Sequence, residues 1–317
     1  MNSKRLGEVG EFKIIEKIRE KFLKGSGVEV GIGDDTAVLK VSNSKLLVTV
    51  DMLVEGVHFL PSISPADLGW KSLAVSLSDI SAMGGKPLFS LLSLSLPSHL
   101  PEKWLDDFLA GWRELAELFG VSLVGGDLTK GERIIVDSIV LGEAEKPVLR
   151  SGARVGDRIY LTGSIGDSSA GLHCLERGLD YPNLIRKHLR PMPRVKEGIR
   201  IGESGKVHSM IDISDGLVGD LAHICEESGV GAVIYSDKLP LSADLLTFCR
   251  EQALSAKEFA LFGGEDYELL LTAEADLAEF FEFPLYEIGE IREGGGIFLH
   301  DNGEEKPIER RGFDHFR

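Results

Sequence analysis

Gly31-Ile32-Gly33-Asp34-Asp35-Thr36-Ala37-Val38-Leu39 is the stretch on which the reading of this chain turns. Two glycines permit a tight backbone turn, two adjacent carboxylates follow, and an apolar run resumes as a strand would. Like charges side by side are unfavourable unless something positive neutralises them, and a cation is the obvious agent. Further along, aspartates recur at or near the ends of apolar runs: Asp51, Asp79, Asp127, Asp212 and Asp215. A fold that gathers them makes a metal site; a fold that scatters them leaves Gly-Asp-Asp as a solvated turn.

Working outward, residues 10–23 place Phe12, Ile15, Ile18 and Phe22 at helical spacing. Strands are predicted over 37–41 and 46–50, which puts Asp51 at a strand end. Ser64-Pro65-Ala66-Asp67 starts a helix with a hydroxyl cap, a proline at the first position and an early acid; it stops at Gly84-Gly85. Asp79 lies inside that helix, where aspartate is disfavoured without a partner. A strand over 87–96, a helix over 101–119, a strand over 121–124 ending in Gly125-Gly126-Asp127, and a strand over 133–141 complete the first half. Polarity rises near Pro147, so the domains are expected to be 1–146 and 147–317. The second half reads as a strand over 158–162, a helix to Gly178, a strand over 207–211 leading into Asp212-Ile213-Ser214-Asp215-Gly216, a helix through Ile224, and strands over 232–235 and 268–272. Asn302-Gly303 predicts a closing hairpin. The fold class is α/β (α+β), a sheet crossed by helices followed by a second α/β domain.

The chain has 317 residues, 43% hydrophobic and 27% charged, enough for two cores and ordinary for a folded soluble protein. Its net charge of -16 argues against a nucleic-acid partner, yet phosphate-bearing small molecules remain open because bound divalent cations reverse the local sign. Three spread cysteines, Cys174, Cys225 and Cys249, suggest neither a disulfide framework nor zinc and favour a cytoplasmic setting. The first 24 residues lack the apolar core of a signal peptide, and no apolar stretch reaches the ~20 residues of a membrane helix. There is no P-loop, strand-linked GxGxxG, GxSxG or HExxH. Hard carboxylates without Cys or His clusters suit Mg²⁺ or Ca²⁺, and several ions would be needed if the aspartates meet. Such ions would attract a polyphosphate.

GIGDDTAVL, TVDMLVEGVHF, SLSDISAMGGKP, VGGD, RSGARVGD, IDISDGL and GGEDYELL occur in this order. As a set they resemble the thiamine-monophosphate kinase family, within the superfamily that includes aminoimidazole ribonucleotide synthetase, over nearly the whole chain to Gly312-Phe313-Asp314-His315-Phe316. The resemblance implies a two-domain aminoimidazole ribonucleotide synthetase-like fold, a homodimer joined through the N-terminal sheets, and ATP-dependent phosphorylation of thiamine monophosphate with several Mg²⁺ ions. It implies that Asp35, Thr49, Val50 through its carbonyl, Asp51, Asp79, Asp127, Asp212 and Asp215 hold metal, with Asp51, Asp79, Arg150 and Asp212 central to catalysis. Gly126, Asp127, Arg150 and Ser214 would meet ATP, and His58, Glu265 and Phe313 the thiamine portion. Phe313 stands where the family commonly has Tyr or Trp, and Asp34 is equally suited to shaping the turn. Selenophosphate synthetase would be expected to carry an early reactive Cys and the hydrogenase-maturation relative a C-terminal one; both are missing. Aminoimidazole ribonucleotide synthetase and a non-catalytic nucleotide- and metal-binding regulator are the remaining alternatives.

Overall fold

The computed structural model describes residues 28–30, 34–41, 44–274, 277 and 279–309. The expected helix over 10–23, Gly31-Ile32-Gly33 of the opening turn, and Phe313 lie outside the described residues.

Strands β1 (Val28–Val30), β2 (Ala37–Val41), β3 (Ser44–Val54), β4 (Lys86–Leu96), β5 (Ser122–Lys130) and β6 (Ile135–Ala144) form a sheet in the order β1-β2-β3-β6-β4-β5. Every neighbouring pair is antiparallel except β4 with β5. In β3, Leu47, Thr49 and Leu53 are buried while Val50 and Met52 are exposed, the alternation a pleated strand imposes. Helices α1 (Pro65–Ala82) and α2 (Glu102–Phe119) pack on each other and enclose an apolar core with Leu68, Leu77, Phe108, Trp112 and Leu115. The α1 start is as the sequence suggests: the Ser64 Oγ accepts a hydrogen bond from the Asp67 N–H at 3.1 Å, a cap that contributes about 1 kcal/mol.

Two expectations need correction. Asp51 is inside β3, because β6 supplies an unbroken ladder from Lys45 to Val54. Nor does a strand end at Gly125-Gly126-Asp127; β5 runs through it. Gly126 passes so close to β4 that a Cβ there would stand 1.8 Å from the Leu92 carbonyl oxygen, so glycine lets the ladder continue where it was read as a stop.

The second half holds β7 (Arg158–Leu161), β8 (Val207–Asp212), β9 (Gly231–Tyr235), β10 (Leu269–Ala273), β11 (Tyr286–Arg292), β12 (Ile297–Asp301) and β13 (Glu304–Ile308), in the order β13-β12-β9-β11-β7-β10-β8. Helices α3 (Asp167–Arg177), α4 (Pro182–Leu189), α5 (Val195–Ser204), α6 (Leu217–Ser228), α7 (Ala243–Gln252) and α8 (Ala256–Phe262) pack around it. The β12–β13 hairpin turns at Asn302-Gly303 with φ of 51° and 82°, as the dipeptide requires. Strands β1 and β11 and helices α4, α5, α7 and α8 were not anticipated.

Helix α1 joins the halves. It lies against β3 and β6 on one side and against β8 and α5 on the other, and it is buried along most of its length. Its end meets α5 without side chains in between: a Cβ on Gly202 would stand 2.9 Å from the Gly84 Cα. The three cysteines are free and buried. Among the described residues, no helix is long and apolar enough to cross a membrane.

Candidate active site

The buried α1 carries hydroxyls and an acid where apolar groups would be expected, and two of the hydroxyls meet acids from other elements. The Ser76 Oγ donates to Asp51 Oδ2 at 2.7 Å, and the Ser78 Oγ donates to Asp212 Oδ2 at 2.5 Å. Thr49 of β3 donates through its Oγ1 to Asp79 Oδ2. One helix therefore orients an acid from each half and contributes Asp79 itself. Carboxylate oxygens of Asp35, Asp79 and Asp212 lie within 4.8 Å of one another.

Three carboxylates in that volume cannot all stay ionised without a positive partner. Burial, then the Asp35 charge, pushes the Asp212 carboxyl up to about 8, and burial pushes Asp51 up to about 6. Asp79 is driven well above the ordinary carboxylate range by burial and by Asp51, Asp212 and Asp35. Among the described residues, Arg150 is the cation that meets the cluster: its Nε and Nη2 donate to Asp35 Oδ2 and Oδ1 at 3.0 and 2.7 Å, a bidentate pair. Burial opposes the Arg150 charge, but Asp35 and Asp34 outweigh it and hold the guanidinium above its usual range. Asp34 turns back to accept the Asp35 N–H at 3.0 Å and the Arg150 N–H at 3.2 Å, so it shapes the turn; burial and Asp35 raise its carboxyl to about 7. The donor set is oxygen only, with charge left to neutralise, and fits a hard divalent cation.

Beside this cluster, Ser214 and Asp215 occupy the loop between β8 and α6. Asp220, in the first turn of α6, accepts the N–H groups of Ser214, Asp215 and Gly216 on one oxygen at 3.1, 3.2 and 3.0 Å. The loop from Gly263 to β10 is hydrogen-bonded to it: the Glu265 N–H donates to the Ser214 carbonyl at 2.8 Å and the Tyr267 N–H to the Ile213 carbonyl at 2.9 Å. Glu265 and Tyr267 both hold left-handed backbone, φ 64° and 53°, which costs of order 1 kcal/mol or more each and persists where surroundings dictate it. His58, whose Nδ1 accepts the Val54 N–H at 3.0 Å, lies near enough for its field to act on Glu265.

The structure thus brings together Asp34, Asp35, Thr49, Asp51, Asp79, Arg150 and Asp212, with Ser214 and Asp215 on the adjoining loop and His58 near Glu265. It does not bring Asp127 to them within one chain. Asp127 is exposed on the edge strand, three strands from β3 and so about 14 Å away across the sheet. Its ladder row contains Ser93, Asp137 and Met52, whereas Asp51 shares a row with Ser138, so Asp127 faces the side away from the helices. Gly126 is on the same exposed strand, and the Val50 side chain is turned to the outer face, leaving only its carbonyl to offer. Sequence reasoning missed Ser76, Ser78 and Asp220; hydroxyls alternating through an otherwise apolar helix, in VSLSDIS, were the available signal.

Family models for AIR synthase related protein match here, the N-terminal domain over residues 33–144 and the C-terminal domain over 154–302. Thiamine-monophosphate kinase of Aquifex aeolicus is 41% identical over 98% of this chain and 100% of its own. The Escherichia coli K12 enzyme of that name is 40% identical over 97% and 98%. The solved structure of AaThiL complexed with AMPPCP and TMP superimposes with a TM-score of 0.92 at 39% identity, covering 99% of this chain and 100% of that one. E. coli HypE, a hydrogenase maturation protein, has a TM-score of 0.69 at 18% identity over 94% and 97%, a likeness of fold alone.

Proposed function

The chain belongs to the thiamine-monophosphate kinase family, and from that premise we propose that it transfers a phosphoryl group from ATP to thiamine monophosphate, giving thiamine diphosphate. The observation that carries the proposal is the meeting of Asp35, Asp79 and Asp212, drawn from both halves, beside the Arg150 guanidinium.

The acceptor is a phosphate oxygen whose last proton leaves near pH ~6, so it is already anionic at neutral pH and requires little from a general base. The obstacle is the approach of two anions. Asp35, Thr49, Asp51, Asp79, Asp212 and Asp215 would hold Mg²⁺, which when bound supplies positive charge to the phosphates. Arg150, freed from Asp35, is placed to meet the nucleotide phosphates in the same volume. The Ser214 loop, tied by Asp220, offers backbone and hydroxyl groups beside it, and Glu265 and His58 face the thiamine end. In-line transfer then needs alignment and charge stabilisation from the protein, with no nucleophilic side chain.

A homodimer belongs to the proposal. Val50, Met52, Leu123, Val124 and Leu128 are large apolar side chains exposed on the N-terminal sheet and its edge strand, a surface suited to a second copy. The metal and nucleotide roles of Asp127 and Gly126 then belong at the seam between two copies, where this strand would carry them. Buried reduced cysteines agree with a cytoplasmic setting.

Incubating purified protein with ATP, Mg²⁺ and thiamine monophosphate, with mass spectrometry of the products, tests the reading. Thiamine diphosphate and ADP in equal amounts are expected; ATP consumption without the diphosphate overturns it.

A further inference from the structure

Lys71 is fully buried in α1, eight residues before Asp79, and reaches neither the carboxylate cluster nor solvent. An ammonium in that position is costly unless paired and hydrogen-bonded. Its partner is Glu265: Lys71 Nζ to Glu265 Oε1 is 2.9 Å. His188 of α4, also buried, completes a closed set, with its Nε2 3.3 Å from Lys71 Nζ and its Nδ1 3.3 Å from Glu265 Oε2 and 3.2 Å from the Ser168 Oγ. The proton positions follow from the chemistry. Lys71 can only donate, so Nε2 accepts and the Nδ1–H is left to point at Glu265 or Ser168. Burial and the Lys71 charge lower the His188 pKa to about 4, which keeps the ring neutral and in this tautomer. Burial would raise the Glu265 carboxyl, but the Lys71 charge holds it below its ordinary value.

Of the three, Glu265 alone is partly open, with 28% of its side chain exposed against 0% for Lys71 and 3% for His188. We propose that Lys71 and His188 are positioning residues that lock Glu265 as an outward-facing carboxylate and so set the affinity for the cationic, nitrogen-bearing end of thiamine monophosphate. Lys71 meets one Glu265 oxygen and His188 the other, and the part of the carboxylate that stays exposed is what a ligand can reach. The left-handed Glu265 backbone is then explained: it turns the side chain towards α1 while its N–H holds the Ser214 carbonyl. The proposal rests on the reading of Glu265 as a contact for the thiamine end.

The test is steady-state kinetics on the full chain for Lys71→Met, His188→Leu, His188→Asn, Glu265→Gln and the double variant Lys71→Met/Glu265→Gln. Losing a charge-assisted contact predicts that Lys71→Met raises KM for thiamine monophosphate roughly ten- to a hundredfold, with KM for ATP changed less than about threefold. Because Lys71 acts through Glu265, the double variant should match Glu265→Gln within about threefold, whereas independent effects would multiply. His188→Asn, which keeps an N–H donor, should stay near wild type and His188→Leu should not. Should Lys71→Met fail to fold, the double variant, which removes both charges, and the His188 pair still decide. Glu265→Gln raising KM while Lys71→Met and His188→Leu leave it unchanged would overturn the proposal alone. A Glu265→Gln variant with unchanged KM for thiamine monophosphate would remove the underlying reading and the proposal with it.

Discussion

Replacing Asp79 by Asn tests the site at its centre. At 4.8 Å and an effective dielectric of about 20, each ionised pair within the Asp35, Asp79 and Asp212 group repels by about 3 kcal/mol. Asp79 takes part in two such pairs, and proton uptake limits how much of that repulsion the metal-free protein feels. Asn keeps an acceptor for the Thr49 hydroxyl and adds an N–H donor facing carboxylates. The variant should therefore be more stable than wild type without metal, by about 1–3 kcal/mol. At about 2 °C per kcal/mol for a chain of this size, that is a Tm rise of about 2–6 °C. With Mg²⁺ the order reverses: wild type gains stability by mass action and Asp79→Asn does not. Differential scanning fluorimetry in EDTA and in Mg²⁺, beside the kinase assay, reads both effects. A lower Tm in EDTA, or activity within tenfold of wild type at modest Mg²⁺, would refute the reasoning.

The carboxyls of Asp51, Asp34 and Asp212 rise from 3.8 to about 6, 7 and 8, so between 3.8 and those values the folded chain holds protons the unfolded chain has released. Metal-free stability must then fall as pH rises through that window, while Mg²⁺ affinity rises from pH 5 to 8 with proton release; calorimetry in two buffers of different ionisation enthalpy measures it. Asp220→Ala strands the three N–H groups of the Ser214 loop; a loss of about 3 kcal/mol in urea unfolding and a raised KM for ATP are expected, with Asp220→Asn intermediate. Leu128→Glu puts a charge on the uncovered strand and should convert a dimer into a monomer by light scattering, with loss of activity; a monomeric wild type would refute the dimer.

The parts of the fold governed by local rules were legible. The Ser64-Pro65 start of α1, its glycine stop and the Asn302-Gly303 hairpin are each set by a few neighbouring residues, and the structure has them. Strand ends were not, because a ladder is decided by its partner: β6 carries β3 past Asp51, and β4 carries β5 past Asp127. The same limit governs the site. Asp35 at its turn, Asp212 at a strand end and Asp79 as an acid inside a helix each stand out in the sequence, and the three do converge. That Asp127 faces the other side of the sheet depends on register, which no local pattern records. Lys71, His188 and Glu265 lie 117 and 77 residues apart in the chain, and only packing brings them together.

Helix α1 carries Lys71, paired with Glu265, and Asp79 of the carboxylate cluster, eight residues and so about 12 Å apart along its axis. It works as a ruler between the Glu265 ion pair and the carboxylate cluster. Adding or deleting one residue between those marks would swing one end by about 100° relative to the other. Surface loops in general take on added residues at small entropic cost, whereas this interval is held by contacts at both of its ends.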